Sequence, residues 1–172
     1  EPTYTGFVAH RSIFPRSLIK GPVLHDFTKW WSDDTHEADD DRHMVVYYLD
    51  RSREEIYFVS GVPDPNWPGG TSFMDADLEE MISVFNGFHD DLMQILYACP
   101  GATKWPLFDR KPLPLWSEGR VVLLGDACHP MKPHLGQGAA MAAEDAVILV
   151  RCLEKFGYED LCGAFALYET SR

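Results

Sequence analysis

The run Arg120-Val-Val-Leu-Leu-Gly-Asp126, followed ten positions later by Gly136-Gln-Gly-Ala-Ala-Met-Ala-Ala-Glu-Asp-Ala146, constrains this chain more than any other feature. The four apolar residues Val121–Leu124 predict a short strand buried on both faces. Gly125 then lets the backbone turn sharply at the strand's carboxyl end. A loop from Ala127 to Leu135 carries two prolines and two histidines. Beyond it the alanine-rich run predicts a helix from Gly136 to about Phe156, stopped by Gly157, with one more helix over 158–172. Gly136 and Gly138 place no side chain before the helix start. Its free N–H groups and positive dipole end therefore stay open to negative charge. Asp126 at the turn can accept hydrogen bonds from ligand hydroxyls, as acidic residues do in nucleotide folds. The same geometry also fits a buried strand and a core helix whose glycines merely permit close packing.

Upstream the pattern changes to alternating β-formers. Tyr4–Arg11 and Val23–Trp31 read as strands, and His43–Leu49 with Glu55–Val62 reads as a hairpin across the polar connector Asp50–Glu54. Pro63, Pro65, Pro68 and Gly69-Gly70 force a loop. Leu78, Met81, Ile82 and Phe85 recur at helical steps within Asp75–Phe85, and a second helix is expected from His89 to Cys99. Thr103–Arg110 reads as a strand and Lys111–Trp116 as an extended connector. The expected fold class is α+β, with a mixed or antiparallel sheet carrying helices in residues 1–116. In residues 117–172 a strand–loop–helix segment of an α/β nucleotide-binding fold follows.

With 45% hydrophobic residues the chain can build a real core, and its net charge of −12 disfavours nucleic acid and anionic membrane surfaces. No apolar run approaches the ~20 residues of a membrane helix, and the cytosol is the default compartment. Cys99, Cys128, Cys152 and Cys162 form no C-x-x-C pair and are expected as reduced, mostly buried thiols.

Gly125-Asp126-Ala-Cys-His-Pro-Met-Lys-Pro133 fits G-D-x6-P, and the Gly136-x-Gly138 helix start follows at the matching distance. Together they resemble the second flavin motif of the single-component FAD-dependent aromatic hydroxylases, the para-hydroxybenzoate and salicylate hydroxylase group. Tyr4-Thr-Gly-Phe-Val-Ala-His-Arg11, Lys29-Trp-Trp-Ser32, Asp41-Arg-His-Met-Val-Val-Tyr-Tyr48, Thr103-Lys-Trp-Pro-Leu107 and Pro112-Leu-Pro-Leu-Trp-Ser117 extend the resemblance to the branch acting on 6-hydroxynicotinate. The resemblance implies a flavoprotein monooxygenase that uses FAD, NADH or NADPH, and O2. A C4a-hydroperoxyflavin would hydroxylate a hydroxylated aromatic or pyridine carboxylate such as 6-hydroxynicotinate or salicylate, with loss of the carboxyl group. Members of the group begin with a Rossmann unit carrying G-x-G-x-x-G, which this sequence lacks. The chain is therefore expected to be a fragment, its other half supplied in cis or by a separate chain, and a homodimer is a compatible assembly.

Carried over residue by residue, Asp126 matches the position holding the flavin ribityl chain. Gly125 forms its turn, and Pro133, Gly136, Gln137, Gly138 and Ala139 match positions against the isoalloxazine ring. His134 matches a substrate-facing histidine beside the flavin. His43 and Tyr47, four apart on one strand, share a face, and their family counterparts face the substrate. Either could take the proton of a ring hydroxyl and so enrich the ring for electrophilic attack. An ordinary amphipathic strand gives the same spacing. His10 and His129 are expected to be structural. Two departures bear on the substrate. The acidic run Asp33–Asp41 is longer than the family connection and reads as a solvated loop, and Phe27 stands where a smaller, thiol-bearing residue is expected. Two other functions fit fewer residues. One is a metal-dependent hydrolase using Asp126, His129 and His134, and the other a non-catalytic aromatic-binding module.

Overall fold

The computed structural model describes residues 2–21, 25–31, 42–69, 72–133 and 136–172. Two compact units emerge, Tyr4–Leu107 and Phe108–Arg172 with the first three residues. The first is built on a six-stranded sheet. Its strands are β1 (Thr3–Pro15), β2 (Phe27–Trp31), β3 (His43–Tyr48), β4 (Glu55–Pro63), β5 (Met74–Asp75) and β6 (Thr103–Asp109), in the order β2-β3-β4-β1-β6-β5. The pairs β2–β3, β3–β4, β1–β4 and β5–β6 are all antiparallel.

Period-two alternation sorts the strands into two faces. Val8 and Phe14 of β1, Met44 and Val46 of β3, and Ile56, Phe58 and Val62 of β4 are all buried. They form one core with Met81, Phe85, Leu92, Ile95 and Leu96 from α1 (Leu78–Val84), α2 (Asp90–Ala98) and the turn between them. Burying each such side chain contributes about 2 kcal/mol. The opposite face carries Arg11 and Ile13, His43 and Tyr47, and Tyr57 and Gly61.

Asp77 caps α1 by accepting the Glu79 and Glu80 N–H groups, so this helix starts later than the Asp75 expected from periodicity. Asp75 instead pairs with Thr103 in the sheet. His89 Nδ1 accepts the Asp91 N–H and caps α2, at the predicted boundary.

In the second unit the predicted strand over 120–126 is reduced to β8 (Val121–Val122), paired with β7 (Ser117–Glu118). Burial on both faces does not hold. Val121 is 64% exposed and Leu124 40%. An apolar run records that a segment wants cover, and among the described residues the only strand beside this one is β7. Helix α3 (Gln137–Phe156) fills its predicted span and ends at Gly157, whose φ of 70° is left-handed. Helix α4 (Leu161–Thr170) begins after Asp160, which accepts the Gly163 N–H. Cys152, Ala164, Phe165 and Tyr168 make this unit's core. All four cysteines are free thiols, Cys162 alone exposed. No described helix is long and apolar enough to cross a membrane.

Candidate functional site

The Gly-Asp turn is held from below by one carboxylate. Asp145, fully buried on α3, accepts the Gly125 N–H at 2.7 Å and places the same oxygen 2.7 Å from His129 Nε2. Its other oxygen lies 2.6 Å from Arg172 Nε. Burial opposes a charge here, but the Gly125 N–H, His129 and Arg172 outweigh it and hold the carboxyl below its usual range. Gly125 is required twice. Its φ is 60°, and a Cβ built on it would stand 3.1 Å from the Ala142 Cβ. Arg110 donates to the Ala127 carbonyl at 2.7 Å and braces the turn from the connector side.

This frame presents Asp126, which is exposed, toward the start of α3. A Cβ on Gly138 would lie 3.6 Å from Asp126 Oδ1. Gly136 adopts a left-handed φ of 69°, and no side chain caps the helix. The N–H groups of Gln137, Gly138 and Ala139 therefore have no intrahelical partner. The carboxylate and the open helix end form a cradle with hydroxyl-accepting and anion-favouring halves. These residues fit a flavin nucleotide: Asp126 would hold ribityl hydroxyls, and the Gly136–Ala139 backbone would lie against the polar edge of the ring. Pro133 is exposed just before this start. His134 and the acidic run Asp33–Asp41 lie outside the described residues.

Cys128, His129 and Asp145 bring a thiol, an imidazole and a carboxylate within 4.8 Å of one another. Their chemistry is that of a strut. Asp145 already serves Gly125, His129 and Arg172, and burial, then Asp145, pushes the Cys128 thiol up, keeping it protonated. His129, a required ligand in the hydrolase reading, directs Nε2 at Asp145 and packs its ring against Trp116. Sequence reasoning missed Asp145, Arg172 and Arg110. A signal existed for Asp145, which falls three residues after Ala142 and four before Leu149, a carboxylate on the helix's inward face.

In the sheet unit, His43 and Tyr47 do share one face of β3. His43 is 9% exposed and sits over Gly61 of β4. Tyr47 lies in a cross-strand row, stacked on Phe27 at 6.4 Å on one side and tilted against Tyr57 at 5.2 Å on the other. Phe27 thus stands directly beside a candidate catalytic side chain. His10 points to the opposite face, where Nδ1 lies 3.1 Å from Ser60 Oγ. Burial, reinforced by Lys104, lowers its pKa to about 4. It is a neutral core histidine, as expected.

Residues 30–158 match the FAD binding domain family, and the chain belongs to it. It is 51% identical over 172 residues to the 6-hydroxynicotinate 3-monooxygenase of Bordetella bronchiseptica, covering 99% of this chain and 43% of that protein. Its identity to the enzyme of the same name from Pseudomonas fluorescens is 46%, with the same coverage. A solved salicylate hydroxylase–substrate complex superposes with a TM-score of 0.74 at 28% identity, covering 89% of this chain and 39% of that one. The chain therefore spans 43% of the length of these two curated relatives.

Proposed function

We propose that this chain supplies the substrate-facing sheet (residues 1–116) and the second flavin-binding segment (117–172) of an FAD-dependent aromatic monooxygenase. Its substrates are hydroxylated aromatic or pyridine carboxylates of the 6-hydroxynicotinate and salicylate type, with NADH or NADPH and O2 consumed. The observation that carries this reading is the Asp126 carboxylate set beside the uncapped N-terminus of α3, on a turn fixed by buried Asp145.

When bound, the flavin supplies the activation of O2. The chain's own residues do the rest. Asp126 and the Gly136–Ala139 backbone bind and orient the flavin, with Gln137 and Pro133 beside it. His43 accepts the proton of the ring hydroxyl, directly or through the Tyr47 hydroxyl, which releases its own proton as it takes one. This leaves an electron-rich ring, which is the form open to hydroxylation. Sheltered by burial, His43 is held against bulk water. His134 completes the substrate-facing set.

The share of the relatives' length beyond this match would provide the Rossmann half, in cis or as a separate chain, and would cover exposed Val121, Leu124, Val147 and Val150. A homodimer is the further assembly this reading allows, and the cytoplasm the compartment.

The test is the visible absorption spectrum and intact mass of the protein purified gently from its source. Flavin bands with a mass well above 19.5 kDa, or with a second chain present, support the reading. NADH oxidation is then screened against hydroxylated pyridine and benzene carboxylates. A colourless species of this mass that takes up no added FAD overturns it for the isolated chain. Binding of an aromatic acid without NADH consumption by the reunited protein favours a non-catalytic module.

A further inference from the structure

We infer that the sheet unit carries a second aromatic-acid site, centred on Arg11 and separate from the His43–Tyr47 pair. A cavity of about 700 Å³ opens on this unit, lined by Arg11, Ile13, Tyr57, Asp75, Leu78 and Trp105 among others, and by neither His43 nor Tyr47. Its size is that of an ordinary small-molecule pocket.

Arg11 and Arg110 both bury an Nε that has no hydrogen-bond partner, but Arg110 turns its guanidinium onto the Ala127 carbonyl. Lys104 is neutralised by Asp64 and Glu80, and Arg172 by Asp145 and Glu144. Among the described residues no carboxylate pairs with Arg11, and its Nε is buried without a hydrogen-bond partner. The guanidinium lies over the Trp105 ring, 5.1 Å from its centroid. That ring is immobilised, with its indole N–H donating to Thr103 Oγ1 at 2.8 Å and Phe73 stacked on it at 4.5 Å. Stacking on an aromatic face leaves the guanidinium N–H edges free, and their fork geometry matches a carboxylate. Ile13, Leu78 and Tyr57 provide an apolar and aromatic wall suited to a planar ring. Asp75, exposed in the same lining, adds one negative charge and sets the ligand's charge at a single carboxylate.

The ligand class is thus an aromatic monocarboxylate. Tyr57, in this lining, also packs against Tyr47 at 5.2 Å, so the two sites adjoin on one sheet face, but the lining holds no residue of the flavin segment and neither member of the proposed catalytic pair.

The test uses the 172-residue chain, with the Trp105 indole N–H resonance assigned through Trp105→Phe. Benzoate is titrated against benzamide, which keeps the ring and removes the charge, and against phthalate, which adds a second carboxylate. We expect a saturable shift of the indole resonance with benzoate, with benzamide and phthalate each about tenfold weaker. Arg11→Gln abolishes the benzoate shift and Arg11→Lys restores part of it. His43→Gln leaves it intact, which separates failure of this site from failure of the hydroxylase. Equal binding of benzoate and benzamide, or no saturable shift of any indole resonance, overturns the proposal, and that comparison is made on the wild-type chain. Loss of the shift in His43→Gln overturns the separateness of the site.

Discussion

The imidazole of His43 occupies the space that a side chain on Gly61 would need. The two residues face each other across β3 and β4, and a Cβ built on Gly61 would come within 2.9 Å of His43 Nε2 and closer still to Cε1. Gly61 is therefore a positioning residue for the proposed base. In Gly61→Ala the ring must turn or shift, at a cost of about 2 kcal/mol of overpacking. The His43 ring resonances should move while the sheet's amide pattern stays. In the flavin-loaded enzyme kcat should fall more than KM rises. Unchanged His43 resonances would show that the ring has other room.

Asp145 sustains the Gly125–Asp126 turn. Asp145→Ala removes the buried partner of Arg172 and His129, leaving Arg172 only the exposed Glu144, and should cost about 3 kcal/mol in urea unfolding. Asp145→Asn keeps the shape but loses the charge, so it should cost less while still loosening the Gly125–Asp126 turn. The informative readout is FAD affinity by fluorescence quenching, expected to weaken about tenfold or more in either variant. Wild-type affinity in Asp145→Asn would reduce this residue to a packing role.

His10 makes the fold acid-sensitive. Its pKa is near 6.5 when unfolded and about 4 when folded, so the unfolded state binds the proton first. The neutral histidine's contribution is intact above pH ~6.5 and is lost as pH falls toward ~4, a swing of about 3 kcal/mol. Urea midpoints measured across that window should fall in the wild type. They should fall less steeply in His10→Gln, which has no proton to bind. Parallel slopes would assign the acid sensitivity elsewhere.

Phe27 sets the wall beside Tyr47. It is 56% exposed, so Phe27→Ala should change stability by only about 1 kcal/mol. The order of preference among hydroxylated benzene and pyridine carboxylates should change, because one side of the Tyr47 ring loses its stacked neighbour. An unchanged substrate profile would place the pocket away from this row.

The strands, the hairpin and α3 were legible because their residues announce themselves locally, through alternation in β3 and β4 and through glycines bounding α3. The turn at Asp126 and the helix start at Gly136–Ala139 were legible as structure, from a glycine turn and a glycine-flanked alanine-rich run, while the flavin role proposed for them comes from the resemblance. Two things were not. The apolar Val121–Leu124 run cannot report whether covering strands exist, and it is largely uncovered here. The partners of Asp145, drawn from positions 125, 129 and 172, are brought together only by tertiary packing. Likewise, nothing in the linear order says that Gly61 lies opposite His43.

Helix α3 begins without a cap, at a left-handed glycine, with its first N–H groups turned outward. Such an end is incomplete as a piece of secondary structure, and a bound anion or polar ring edge finishes it. On the proposed function, cofactor loading and the ordering of residues 136–139 form a single equilibrium. The ligand acts as the missing N-cap, and protection of those amides from exchange should rise with the logarithm of its concentration.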